Sequence, residues 1–194
     1  MSASTGWAVL AAAFVGYWVG SFSPAAVAAR LRGADLRGTG SGNPGATNAA
    51  RAMGPAVGVL VGLVDVAKGF LPAWFFARYG DPAGQIAGLC AVLGHITSPF
   101  LRGRGGKGVA TSLGAILAVE PIWALPALAG FAVTVGLTRR VGMGSVVATL
   151  ILLPTSVLLW DGWAGVVFAV GLSALVLWRH RRNIRAFLLE RSGG

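Results

Sequence analysis

Between Leu36 and Arg51 the chain reads L-R-G-T-G-S-G-N-P-G-A-T-N-A-A-R. Gly38, Gly40, Gly42 and Gly45 alternate with Thr39, Ser41 and Asn43. Glycine lets successive backbone N–H groups turn to one side, and the hydroxyls and amide add donors around them. Such a concavity takes phosphate. Arg51, ten residues after Ser41, adds a planar and permanently charged fork. A flexible inter-helix connection would explain the glycines alone, but not so many donors beside an arginine. The segment reads as an anion site.

A second segment, F-L-R-G-R-G-G-K-G-V-A-T, covers residues 100–111. Lys107 stands among glycines where an apolar helix opens, and the free N–H groups and dipole of a helix N-terminus favour an anion. Arg102 and Arg104 would serve equally as a positive-inside anchor, which leaves Gly105-Gly106-Lys107-Gly108 unexplained. A nucleotide-binding P-loop would need Gly at 101 and a hydroxyl at 108; the chain has Leu101 and Gly108, so nucleotide is excluded. In the tail, W-R-H-R-R-N-I-R, His180 and Asn183 share a face if the last helix continues. By itself, a basic juxtamembrane tail reads as a lipid-headgroup contact.

Asp65 and Lys68 lie three apart inside an apolar run and read as an ion pair holding helices together, although an intramembrane charge is also a functional candidate. His95 reads as a hydrogen-bonded structural residue. The fifth residue after His95 is Phe100 and after His180 is Arg185, so the His-x4-Asp pattern of soluble-substrate acyltransferases is missing, as are a Ser-His-Asp elbow and H-E-x-x-H. Cys90 is the single cysteine, and it lies in an apolar run, where a buried inert thiol is expected. With no Cys/His ligand spacing, neither metal nor cofactor is expected.

The elements that must position these residues are apolar. The chain has 194 residues, 55% of them hydrophobic and 11% charged, with a mean hydropathy of +0.73. Soluble domains carry roughly 25% charged residues. This composition excludes a disordered chain, a coiled coil and almost any soluble enzyme, and predicts a protein that faces lipid. Residues 1–29 carry no charge, so the first apolar run, Gly6–Ala28, reads as a span and not as a signal peptide with a basic start. Further apolar stretches run 54–77, 83–101, 108–119, 121–137, 143–160 and 162–178. The expectation is a single polytopic domain, residues 1–194, an all-α bundle of about seven transmembrane helices. The 108–119 stretch is short for a span, and 54–77 carries Asp65 and Lys68; were both re-entrant, five spans would remain. Pro55, Pro72, Pro126 and Pro154 are expected to kink or break helices.

Net charge is +10, from 16 Lys and Arg against 6 Asp and Glu. In a membrane protein that excess reads as cytoplasmic loops or a site for anionic substrates, not as nucleic-acid binding. With seven spans, segments 30–52, 102–107, 138–140 and 179–194 share one side and hold 14 of the 16 basic residues. That side is cytoplasmic and should carry the function, the N-terminus is outside and the C-terminus inside. The opposite turns carry Asp81, Glu120 and Asp161, with Arg78 as their cation.

These motifs, in order and along nearly the whole chain, resemble the bacterial PlsY-type acyl-phosphate:glycerol-3-phosphate acyltransferases. S-G-N-P-G-A-T-N-A-A-R-A-M-G at 41–54, G-L-V-D-V-A-K-G at 62–69, G-H at 94–95 with G-G-K-G-V-A-T at 105–111, T-R at 138–139 with Ser145, and H-R-R-N-I at 180–184 are each similar to a family segment. The chain departs at Thr97-Ser98, where the family has Phe-Pro, at Gly142, where it has serine, at Arg140, where it has an aromatic residue, and in its last residues.

The resemblance implies acyl transfer from acyl phosphate to glycerol 3-phosphate, giving lysophosphatidic acid and phosphate, as the first acylation of phospholipid synthesis in a bacterial cytoplasmic membrane. It implies that Ser41, Arg51, Lys107, His180 and Asn183 are catalytic. Gly42, Asn43, Thr47, Asn48, Gly105, Gly106, Gly108, Arg139 and Ser145 would bind substrate. The partners are then acyl phosphate, glycerol 3-phosphate and membrane lipids. An acyl phosphate is already activated, so direct transfer without an acyl-enzyme is expected, with either His180 or a substrate phosphate as the base. A transporter of organic phosphates is the alternative class; beyond Asp65 and Lys68 the spans offer it almost no polar path.

Overall fold

The computed structural model describes residues 3–80, 82–160 and 162–192. Among these residues all regular structure is helical: α1 (Ala3–Ser21), α2 (Pro24–Arg32), α3 (Ala46–Met53), α4 (Pro55–Ala77), α5 (Ala83–Thr97), α6 (Val109–Val119), α7 (Ala124–Thr138), α8 (Val141–Leu158) and α9 (Trp163–Ser192). Single 3-10 turns follow α5 at Pro99–Leu101 and precede α7 at Pro121–Trp123. The expected charges Asp81 and Asp161 lie outside the described residues.

The chain is an all-α integral membrane protein. In hydrocarbon a backbone must pair its own N–H and C=O groups, and helices do so within one segment. Among the described residues six stretches are long and apolar enough to cross: Gly6–Arg32, Pro55–Ala77, Ala83–Leu101, Pro121–Thr138, Val141–Leu158 and Trp163–Leu189. Phe14, Leu63, Val133 and Val167 are exposed on these helices, which suits contact with lipid. The 54–77 stretch is a full-length helix despite its two charges. The 108–119 stretch is not: α6 has 11 residues, about 16 Å against a hydrocarbon core of about 30 Å. Pro72 and Pro154 lie inside α4 and α8 without ending them.

Pro55 opens α4 directly after α3 ends at Met53, as a helix-breaking proline should, and a further break falls at Pro24. Proline has no N–H to give to the preceding turn, so α1 stops at Ser21 and α2 starts afresh with Ser23 as its cap, the Ser23 hydroxyl accepting from Ala26 N–H at 3.3 Å. The freed carbonyls find side chains: Ser98 Oγ donates to Ser21 O and Lys68 Nζ to Phe22 O, each at 2.6 Å. Ser98, one of the departures from the family pattern, is thereby buried and bonded.

The chain forms two compact units, one ending at Val119 and the other beginning at Glu120. In the first, α1 packs on α5, α4 packs on α5 and α6, and α2 and α3 pack on α4. Small residues make these approaches close. A side chain at Gly16 or Gly20 would strike the carbonyl of Ala87 or Ala91, and one at Gly69 or Gly114 would strike that of Thr111 or Val66. In the second unit, α8 packs on α7 and α9, and Ser173 Oγ donates to Thr149 O at 3.2 Å across the α8–α9 contact.

Candidate active site

The glycine loop follows α2, which ends on Gly33 in the left-handed conformation at φ 63°. The chain then folds onto itself. The Asp35 carboxylate accepts from Arg37 N–H at 2.8 Å, Thr39 Oγ1 donates to Asp35 O at 2.7 Å, and Gly42 N–H donates to Thr39 O at 3.0 Å. Leu36 anchors the loop in an apolar cluster with Ala25, Ala29, Ala49, Val57 and Val61. Asn48, expected to meet substrate, is instead buried with both ends of its carboxamide on loop backbone: Nδ2 donates to Leu36 O at 2.9 Å, and Oδ1 accepts from Ser41 N–H at 3.1 Å. It holds the loop's shape from beneath. Ser41, Thr47 and Arg51 are exposed, and Asn43 is half-buried. Arg51 lies against the loop's glycine edge; a methyl group on Gly40 would sit 3.4 Å from its Nη1.

The Lys107 segment is shaped by the end of α5. A helix C-terminus leaves its last carbonyls without intrahelical partners. Here the returning chain supplies them: Gly103 N–H donates to Ser98 O at 2.9 Å, Gly105 N–H to Ile96 O at 3.0 Å and Gly106 N–H to His95 O at 3.0 Å. A side chain at Gly105 would strike the His95 and Ile96 carbonyls, and one at Gly106 would strike the His95 imidazole. The paired glycines are therefore required for the chain to lie so close. Gly108, at φ 83°, turns it into α6, and half-buried Lys107 stands at that entry.

The two loops meet through Arg37. Its Nη1 donates to Gly42 O at 3.0 Å and its Nη2 to Arg104 O at 2.6 Å. One exposed arginine thus ties the glycine loop to the Lys107 segment, and both lie at the same end of the first unit. Nothing in the sequence distinguished Arg37 from its basic neighbours. Across residues 34–54 and 98–108 the one carboxylate is Asp35, against Arg37, Arg51, Arg102, Arg104 and Lys107. Such an excess of positive charge favours an anion.

In the second unit, exposed Arg139 ends α7 in a left-handed turn at φ 57°, its N–H on Val135 O at 2.8 Å. Ser145 is buried one turn into α8 and its hydroxyl donates to Val141 O at 3.0 Å. The last helix continues through the tail, so His180 and Asn183 do share a face. His180 is 1% exposed. Its Nδ1 lies 2.8 Å from Val176 O; a carbonyl can only accept, so Nδ1 carries the proton and a neutral ring keeps its lone pair on Nε2. Asn183 rests against Gly142, where a methyl group would come within 2.8 Å of Nδ2. The glycine at this departure from the family pattern makes room for that amide.

Cys90 is half-buried in α5 and unpaired, less enclosed than its apolar run suggested.

The chain is similar to known proteins along most of its length. The family model for glycerol-3-phosphate acyltransferase matches residues 10–190. The glycerol-3-phosphate acyltransferase of Pseudomonas syringae pv. tomato is 41% identical over 178 residues, covering 90% of this chain and 92% of its own. Glycerol-3-phosphate acyltransferase 1 of Deinococcus radiodurans is 42% identical over 185 residues, covering 91% and 90%. Two solved structures of PlsY, an integral membrane glycerol 3-phosphate acyltransferase, superpose on the chain. Its glycerol 3-phosphate form does so with TM-score 0.90 at 36% identity, covering 94% of this chain and 93% of that one. Its lysophosphatidic acid form does so with TM-score 0.88 at 35% identity and the same coverage.

Proposed function

The chain belongs to the glycerol-3-phosphate acyltransferase family, and from that premise we propose that it moves an acyl group from acyl phosphate to the 1-hydroxyl of glycerol 3-phosphate. The products are 1-acyl-glycerol 3-phosphate and inorganic phosphate, made as the first acylation of phospholipid synthesis at the cytoplasmic face of a bacterial cell membrane. Residues 1–194 work as one polytopic membrane domain with about seven crossings, the short α6 counted among them. The observation that carries the reading is the Arg37 bridge, which gathers Arg51 and Lys107 with two donor-rich glycine loops at one end of an apolar unit. One substrate has a phosphate head on a lipid tail and the other is a small soluble phosphate; such a place suits both.

The chemistry needs alignment and charge neutralisation. The 1-hydroxyl attacks the acyl carbonyl, the carbonyl carbon–oxygen bond to phosphate breaks, and charge grows on the departing phosphate, where fixed cations and N–H donors lower its energy. Ser41, Asn43, Arg51 and Lys107 hold phosphate in the first unit, with Gly42, Gly105, Gly106 and Gly108 lending backbone donors and Thr47 a hydroxyl. Ser145, His180 and Asn183 complete the glycerol 3-phosphate site, and Arg139 binds substrate. The hydroxyl proton passes to a phosphate oxygen of a substrate, as no carboxylate stands among these residues. The purified protein, given glycerol 3-phosphate and acyl phosphate, should produce 1-acyl-glycerol 3-phosphate and phosphate one for one. Product with an acyl thioester donor alone, or no product with either, would overturn the assignment.

A further inference from the structure

One polar cluster in the first unit has no part in that mechanism. Asp65 and Lys68 on α4 and His95 on α5 are 2%, 4% and 7% exposed. Lys68 Nζ lies 2.9 Å from Asp65 Oδ1, and His95 Nδ1 lies 3.5 Å from the same oxygen. Ionisable groups at membrane depth are costly and persist where they have a task. Holding helices together accounts for part of this one, since Lys68 also reaches Phe22 O at the break after α1. It does not account for the histidine, because α4 and α5 already meet through small residues such as Gly84 against Ala73 and Ala77.

What the histidine touches is Gly106. The Gly106 N–H bonds to the His95 carbonyl, and the Gly106 α-carbon faces the imidazole so closely that no side chain fits between. Gly106 is joined directly to Lys107. A glycine pair has no side chains to locate it, so its place is set by what it lies on, here the ring of His95 and the carbonyls of His95 and Ile96. The ring is in turn turned by Asp65, and Asp65 is held by Lys68. We propose that His95, oriented by the buried Asp65–Lys68 pair, is a positioning residue that sets Lys107 through the backbone of Gly105 and Gly106. This rests on the reading of Lys107 as a phosphate-holding residue. Outer-shell partners of this kind fix a working group to within a fraction of an ångström, and small misplacements are felt in rate.

The test uses the intact purified protein with two readouts. The first does not need turnover. The chain has two lysines, Lys68 and Lys107, and Lys68 is buried, so a water-soluble amine reagent followed by peptide mass spectrometry reports Lys107. Inorganic phosphate should slow its labelling in the parent, lose that effect in His95→Ala and regain part of it in His95→Gln, which keeps a donor toward Asp65. The second readout is acyl transfer. His95→Ala should lower kcat/KM tenfold to about a hundredfold, yet cost no more than about twofold further in a Lys107→Ala background, because both changes act through one group. If His95→Ala does not fold, the paired neutral variant Asp65→Asn with Lys68→Met takes its place with the same expectations. Equal losses in both backgrounds, or phosphate protection of Lys107 unchanged in the variants, would overturn the proposal. No protection in the parent would overturn it together with the role given to Lys107. Protection that depends on His95 in a protein without acyl transfer would leave the positioning intact and remove only the proposed reaction.

Discussion

Arg51 and Lys107 are the cations proposed to hold phosphate, and each stands beside glycines. Replacing either by alanine removes a charge-assisted contact worth about 1.5–3 kcal/mol, so kcat/KM should fall roughly tenfold to a hundredfold while the protein still inserts. Arg182→Ala, a change on an exposed tail position, should stay near the parent value. Equal losses at all three would mean that overall basicity, and not two sites, is at work. Residue types and spacing mark both cations as candidates. They could not separate Asn48 from Asn43, since an amide that holds a loop and an amide that holds a ligand are spelled alike. Only the two bonds of Asn48 to Leu36 and Ser41 assign it to the scaffold.

At the scale of elements, the long apolar runs were legible because lipid demands about twenty apolar residues per crossing. The ends and breaks were less so. The 30-residue α9 includes the whole tail motif, and Pro24 interrupts the first span where Pro72 and Pro154 do not interrupt theirs. The joining of the two loops was not legible at all, since it depends on an arginine 67 positions from its partner. Arg37→Lys keeps the charge but cannot bridge two carbonyls with a planar fork. It should lower kcat/KM by roughly tenfold if one such bond, about 1.4 kcal/mol, is lost; parent-like kinetics would show that the loops stay together without it. Helix contacts make a separate prediction. Gly20→Leu must drive a side chain into the Ala91 carbonyl and should destabilise the first unit by about 1–3 kcal/mol. Gly136→Leu, on α7 with nothing within 4 Å, should leave the thermal inactivation temperature unchanged.

For the whole molecule, charge and crossing number have to agree. If α6 did not cross, the 138–140 segment and the tail would both fall on the side opposite segments 30–52 and 102–107, and the basic residues would divide across the membrane, against the positive-inside tendency. Single cysteines at Ala34, Arg102, Arg140 and Arg182 in a Cys90→Ala background should therefore react with an impermeant thiol reagent from the cytoplasmic side, and one at Tyr79 from the outside. Arg140 reacting from outside while Ala34 reacts from inside would make α6 re-entrant. In the proposed reaction the protein aligns two phosphorylated substrates and needs no nucleophile of its own. Cys90 lies half-buried in α5, away from the loops' cations in sequence, and no base-activated serine stands in the motifs. The direct measurement is rapid quenching of the protein with radiolabelled acyl phosphate, with and without glycerol 3-phosphate. Label should appear in 1-acyl-glycerol 3-phosphate when the acceptor is present and should not remain on denatured protein when it is absent. A stoichiometric acyl-protein that passes its acyl group to added glycerol 3-phosphate would show instead that the protein supplies a nucleophile.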